Sequence, residues 1–326
     1  MRALRSTLTV ALLGLMQLNF SSCRSPGEAG GAPSADPATT GPVELPGVDT
    51  SELTRREQRE WSTYVTELLA PCADQPVNIA QCVKESRPCE ACRPAAEFLR
   101  TQVRRGRTRA QAEGAFRVRF AAEEVKSIDL GDSPSKGPKD AVVTVVEWAD
   151  YQCPHCAAVN PLMTRMLQQF PEHVRLVFKN YPLASHENAE YAARAAVAAG
   201  KQGKYWEMHE LLFANQAKLT KDYSLFAKQL SLDMAQFIKD YESEAVADAV
   251  QADKKLGDKL GLQGTPMIYI NGRHFTGGHF DYEEDLTEFI QLEIKLRTGK
   301  DVAPKPVPKG AAAAPSGEPA DSGDLP

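Results

Sequence analysis

Residues 141–156 read AVVTVVEWADYQCPHC. The apolar run from Ala141 to Val146 has the length and composition of a buried strand, and Cys153-Pro154-His155-Cys156 then opens a helical stretch. Two thiols at this spacing on a strand-to-helix turn can close a small disulfide and reopen it. Cys153 is placed at the helix N-terminus, where unpaired N–H groups and the helix dipole favour a thiolate. Pro154 supports the placement, since its fixed φ suits the first helical position. A Cys-x-x-Cys is also half of a common zinc motif, but no second pair follows downstream. The spacing therefore points to a redox pair.

Outward from the motif, the expected order is strand 141–148, helix 154–170 and strand 174–179. Helices follow over about 187–261, then strands 267–270 and 274–276 and a closing helix over 282–296. Asn271-Gly272 between the last two strands is a strong hairpin signal. This is an α/β domain, 141–298, with helices covering a sheet. Residues 127–140, with Gly131, Pro134, Gly137 and Pro138, read as a linker. Before it, 51–126 reads as a small helical segment, with Trp61, Val65, Leu68 and Leu69 at helix spacing. Its core is thin and it holds four cysteines, so disulfides matter more here than elsewhere. Residues 23–50 and 299–326 are rich in Gly, Ala, Pro and Ser, and read as a disordered tether and tail.

The strand into Cys153-Pro154-His155-Cys156, the helical insertion, Gly264-Thr265-Pro266 before a strand, and the closing hairpin and helix together resemble the thioredoxin fold of the DsbA family. Tyr205-Trp206-Glu207-Met208-His209 with Leu211-Leu212-Phe213 is similar to a helical segment of that family. The resemblance spans about 141–296 and leaves out the tether, the cysteine-rich helices and the tail. It implies a thiol–disulfide oxidoreductase in which Cys153 accepts and attacks while Cys156 resolves. His155 would help to stabilise the Cys153 thiolate in preference to the disulfide. Thr265-Pro266 would form a cis-proline loop against the sulfurs and pair with extended substrate. Glu147, set in the strand before the motif, is similar in position to an acidic residue that tunes the thiols, with a solvent-exposed strand-end carboxylate as the plain alternative. Asp150 is a weaker candidate for the same work. Pro161 implies a kink in the active-site helix. Trp148 and Tyr151 read as core or groove rim. His186, His209 and His279 lack metal-like spacing and read as structural.

Cys89-Glu90-Ala91-Cys92 is a second Cys-x-x-Cys, but Pro94 belongs at the first position of the helix that follows, which leaves Cys89 and Cys92 in the preceding loop. Structural disulfides among Cys72, Cys82, Cys89 and Cys92 are the leading reading, with three possible pairings. A four-thiolate zinc site and an auxiliary redox pair stay open. Arg100, Arg104, Arg105, Arg107, Arg109, Arg117 and Arg119 read as a solvated face, with an anionic lipid or partner as the alternative.

Residues 1–22 carry Arg2 and Arg5 ahead of a short apolar run, Leu8 to Leu18, as a signal peptide does. Ser21-Ser22-Cys23 resembles a bacterial lipoprotein signal with Cys23 as the lipidated residue; Phe20 departs from the usual Leu, which keeps ordinary cleavage open. Of seven cysteines, removing Cys23 leaves six, or three pairs, as an oxidising compartment would close. The expectation is a periplasmic, membrane-anchored lipoprotein, or a soluble periplasmic protein, that forms disulfides in exported proteins. It needs no organic cofactor or metal, and a membrane redox partner would reset its pair. A net charge of −5 gives no support to nucleic-acid binding. The alternatives are a disulfide isomerase or reductase, to which Thr265 leans mildly, and a non-catalytic peptide-binding module.

Overall fold

A computed structural model describes residues 41–308; the signal peptide and the Cys23 lipidation position lie outside the described residues. The first elements are helices α1 (Arg55–Glu67), α2 (Ile79–Lys84), α3 (Cys92–Arg104) and α4 (Arg109–Phe120). Strand β1 (Ser135–Lys136), strand β2 (Val143–Ala149), helix α5 (Pro154–Gln169) and strand β3 (Val174–Asn180) follow. The insertion comprises α6 (Ala189–Gly200), α7 (Tyr205–Ala214), α8 (Ser224–Gln229), α9 (Met234–Tyr241) and α10 (Glu244–Lys259). Strands β4 (Met267–Ile270) and β5 (Arg273–Phe275) and helix α11 (Asp285–Thr298) close the chain.

The sheet order is β1-β3-β2-β4-β5, with β2 and β3 parallel and the other neighbours antiparallel. Strand period sorts β2 between two layers. Val143 and Val145 join β4, α5 and α11 in one core, whereas Val146 and Trp148 pack with Val177 and Tyr269 on the other side. Glu147 has the parity of Val143 and Val145, so its carboxyl is directed into the layer that α5 covers. At the end of β2 and beyond it, Ala149, Tyr151, Cys153 and Cys156 pack with α6 and α7, and the alanines of α6 are small enough for close approach. Asn271 and Gly272 both take positive φ, 48° and 81°, as a tight hairpin turn demands. A Cβ at Gly272 would lie 2.3 Å from the Lys126 carbonyl, whose own N–H donates to the Gly272 carbonyl. Glycine is therefore required there.

The helical segment has its own core, around Trp61, Val65, Ile79, Ala95 and Leu99. Capping boxes open α1 at Thr54/Glu57 and α4 at Thr108/Gln111. Two disulfides, Cys72–Cys89 and Cys82–Cys92, bind its turns. Cys92 is the first residue of α3 and Pro94 the third, so the helix begins earlier than the proline suggests. This segment does not stand apart from the sheet. Ala115 of α4 joins the core of α5 and α11, and Arg273 donates to the carbonyls of Val118 and Ala121. Buried Arg119 pairs with buried Glu293 of α11.

Several stretches read as unstructured carry structure. Residues 127–140 contribute β1 to the sheet, and Lys179 Nζ holds the Leu130 carbonyl, Ser133 Oγ and Asp253. Leu45 and Val48, inside the expected tether, are buried in the helical core. At the start of the expected tail, Val302 packs on the core and the Lys305 N–H donates to the Gln169 carbonyl. The arginine run is largely paired: Arg104 with Glu52, Arg105 with Asp285, Arg109 with Glu67 and Glu113, Arg117 with Glu124. These contacts leave little free charge for a lipid surface.

Arg119→Ala strands the Glu293 carboxylate in the interior and lowers unfolding free energy by roughly 3–5 kcal/mol. The urea midpoint reads this, and replacing both residues with apolar side chains of similar volume recovers most of the loss.

Candidate active site

The turn from β2 into α5 is built by hydrogen bonds to backbone groups. Asp150 is buried, and its carboxylate accepts from Gln152 N (2.7 Å), Leu183 N (2.9 Å) and His186 Nδ1 (2.7 Å). Its carbonyl accepts the Cys153 N–H at 3.0 Å. Asp150 thus organises the loop rather than sharing the work expected of Glu147. From the insertion, Gln216 Nε2 donates to the Tyr151 carbonyl at 2.7 Å and to the Cys153 carbonyl at 2.9 Å. The motif therefore starts from a backbone pinned at three successive positions.

Cys153 is the N-cap of α5 and Pro154 its first residue. Cys153 and Cys156 are both buried and carry free thiols, while Pro154 and His155 are exposed. The Thr265–Pro266 bond is cis, and the Thr265 carbonyl lies 3.5 Å from Cys153 Sγ, where it accepts from the thiol form. Thr265 Oγ1 is buried, has no other hydrogen-bond partner among the described residues, and is close enough to both sulfurs to lower their pKa values.

The two thiols are driven apart. Cys153 is lowered from 9.0 to about 5, chiefly by donation from the Cys156 thiol. Burial opposes this, while the Thr265 side chain and the backbone N–H groups of Cys156 and His155 reinforce it. Burial is also the largest cause raising Cys156, and its thiol is held protonated far above neutral pH. One sulfur is an anion at pH 7 and the other a neutral donor to it. His155 acts on Cys153 through its main-chain N–H, with its ring outside in solvent.

Glu147 is 2% exposed and its Oε1 has no hydrogen-bond partner among the described residues. Burial alone raises its pKa from 4.5 to about 8, so it is mostly protonated at pH 7. The phenol of Tyr282, itself raised by burial, is close enough to feel both Glu147 and Cys156. The solvent-exposed alternative for Glu147 is therefore set aside.

A second, wholly internal chain of hydrogen bonds backs the loop. Tyr151 Oη meets Tyr205 Oη at 3.2 Å and His209 Nδ1 at 3.1 Å, and His209 Nε2 meets Asn160 Oδ1 at 3.0 Å. Asn160 donates its amide to Glu210 at 3.1 Å, which leaves its oxygen to accept from His209 Nε2. His209 is then neutral, with Nδ1 accepting from Tyr151, and burial holds its pKa well below the usual range. Trp148 is core: its indole N–H donates to the Asp253 carbonyl. Pro161 lies within α5. Gln216, Tyr282 and the clamp role of Asp150 were not legible in the sequence, since each depends on a partner distant in the chain.

A family model described as thioredoxin matches residues 129–291. Among curated proteins, the chain is 38% identical over 146 residues to a Na(+)/H(+) antiporter NhaA 1 of Salinispora arenicola, covering 44% of this chain and 22% of that one. It is 32% identical over 145 residues to the NhaA antiporter of Herminiimonas arsenicoxydans, covering 44% and 23%. The chain thus spans under a quarter of the length of these relatives. Among solved structures, it is similar to oxidised BdbD from Bacillus subtilis (26% identity, 52% of this chain and 97% of that one, TM-score 0.47). It is also similar to a thioredoxin-like oxidoreductase from Silicibacter pomeroyi (30% identity, 50% and 92%, TM-score 0.44).

In the reduced protein, alkylation by iodoacetamide is expected at Cys153 alone, with a rate that rises to half its plateau near pH 5, because the donors around Cys153 Sγ lower its pKa to about 5. Peptide mapping across pH 3–9 checks this. For Glu147 the sign is opposite to that of a paired carboxylate. Its raised pKa costs nothing below about 4.5; the cost grows as pH rises from 4.5 to about 8 and levels off above that. Glu147→Gln should leave stability unchanged at pH 4 and raise it at pH 9 by roughly 5 kcal/mol, read from denaturant unfolding at both pH values.

Proposed function

The chain belongs to the thioredoxin family, and from that premise we propose that it is a DsbA-like thiol–disulfide oxidoreductase that oxidises thiols of exported proteins through Cys153 and Cys156. The observation that carries the oxidising direction is the separation of the two thiols. With Cys153 at about 5, thiolate exceeds thiol by about 100-fold at pH 7. Ionisation then favours the reduced pair, and at about 30 mV per tenfold this makes the disulfide more oxidising by about 60 mV.

The reaction begins with a substrate thiolate attacking Cys153 Sγ. The Cys153–Cys156 bond breaks and a mixed disulfide forms. Cys156 leaves as a thiolate that must be protonated, because its burial makes the anion costly. Glu147, protonated at neutral pH and grouped with Cys156 around Tyr282, supplies that proton and recovers one from solvent. The second substrate thiolate then attacks the substrate sulfur of the mixed disulfide, and Cys153 leaves as a stabilised thiolate. Substrate loses two electrons and the cysteine pair gains them. The Thr265 backbone, beside Cys153 Sγ, aligns the incoming segment in an extended conformation.

The signal-like residues 1–22 and the following Cys23 support work outside the cytoplasm, in the periplasm, tethered through lipid at Cys23. Among the described residues, no helix is long and apolar enough to cross a membrane. A membrane redox partner would reoxidise the pair.

Refolding of reduced ribonuclease tests the proposal. The oxidised protein should restore ribonuclease activity from the fully reduced substrate, and Cys153→Ser should abolish this. Cys156→Ser should accumulate mixed disulfides on Cys153. Rescue of scrambled ribonuclease without net oxidation would mark an isomerase, and absence of turnover a peptide-binding module; either would overturn the oxidase reading.

A further inference from the structure

The cysteines of the helical segment are placed for chemistry as well as for bracing. Cys89 and Cys92 do not pair with each other; Cys89 bonds Cys72, and Cys92 bonds Cys82. The Sγ atoms of Cys82, Cys89 and Cys92 nevertheless all lie within 4.8 Å of one another. One disulfide therefore presents a sulfur to both sulfurs of the other. Three of the four cysteines are buried, while Cys72 is partly exposed. A cavity of about 380 Å³ opens onto Cys82, Cys89 and Cys92; of the cations in its wall, Arg87 pairs with Glu85, Arg93 with Glu97 and Lys295 with Asp301. The Cys92 N–H that opens α3 donates to the Cys89 carbonyl at 3.2 Å, which ties the two cysteines through the main chain.

We propose that these four cysteines form a second thiol–disulfide exchange centre, which takes electrons from a dithiol and moves its remaining disulfide onto Cys89–Cys92. A thiolate of the dithiol attacks Cys72, the accessible sulfur. The Cys72–Cys89 bond breaks, and Cys89 leaves as a thiolate just before α3, whose dipole favours negative charge at that end. Freed from Cys72, Cys89 Sγ starts within 4.8 Å of both sulfurs of the neighbouring disulfide and turns about its Cα–Cβ bond to come in line with the Cys82–Cys92 bond. It attacks Cys92 Sγ, forming Cys89–Cys92 and releasing Cys82, which takes up a proton in its apolar surroundings. The second thiol of the reductant then resolves the mixed disulfide, leaving Cys72 as a thiol and the reductant as a disulfide. Two electrons and two protons pass from the dithiol to the protein, one of its two disulfides is reduced, and the survivor spans a Cys-x-x-Cys. This centre is independent of the Cys153 chemistry and goes beyond it.

The test uses the full chain, undenatured, titrated with dithiothreitol. Samples are quenched in acid, labelled with N-ethylmaleimide and cleaved after Lys84, which separates the peptide of Cys72 and Cys82 from that of Cys89 and Cys92. In the oxidised protein the two peptides are linked. The expected half-reduced species loses that link: Cys72 and Cys82 both carry label, and Cys89–Cys92 is closed within one peptide. Three results would overturn the proposal: a half-reduced species with linked peptides and label on Cys72 and Cys89, simultaneous opening of both bonds, or resistance of both until denaturant is added. Cys153 and Cys156 fall in a different peptide, so their behaviour does not affect the reading.

Discussion

A sulfur anion at the N-cap of α5 is the element around which the rest of the molecule is arranged. Cys153 is almost fully removed from water, which by itself would keep its thiol protonated. Donors that converge on Sγ reverse that preference: the Cys156 thiol, the Thr265 side chain and the first N–H groups of the helix. The arrangement depends on asymmetry. Cys156 can donate only because burial keeps it from ionising, so the protonation of one thiol is the condition for the charge on its neighbour. Closing the disulfide removes both the anion and its donor, and this is why the free pair is favoured.

The scaffold serves that balance by fixing the backbone before the motif begins. Asp150, Gln216 and the His186 ring hold the loop, and the buried Tyr151–His209–Asn160 chain ties it to both α5 and α7. The opposite layer is secured from a distance. Helix α4 and the Arg119–Glu293 pair fasten the cysteine-rich helices to α11, which packs on the same core as α5. The helical segment is thus an integral part of the unit that carries the active site.

The fold was legible where its determinants are local. The apolar run of β2, the Cys-Pro-His-Cys turn, the bounds of β4 and the Asn271-Gly272 hairpin all follow from residues a few positions apart. Strand β1 was hidden because it has only two residues, set among the glycines and prolines of 127–140, and pairing with β3 alone defines it. Within the helical segment, the bounds of α2 were not readable, because six residues are too few for a helical period to stand out. The separate boundaries of the helical segment dissolved for the same kind of reason: Ala115, Arg119 and Arg273 have their partners far away in the chain. At the site, the residue types of the motif were readable, but the source of the thiolate's stability was not. His155 attracted notice for its ring, whereas its main-chain N–H faces the sulfur.

The most direct measurement is the reduction potential of the Cys153–Cys156 pair, equilibrated with glutathione at a series of pH values. With Cys153 ionised and Cys156 protonated, reduction takes up one proton per two electrons. The potential should then fall by about 30 mV per pH unit between pH 6 and pH 8. A fall of about 59 mV per pH unit over that range, two protons per two electrons, would mean that both sulfurs are ordinary thiols, and it would contradict the account.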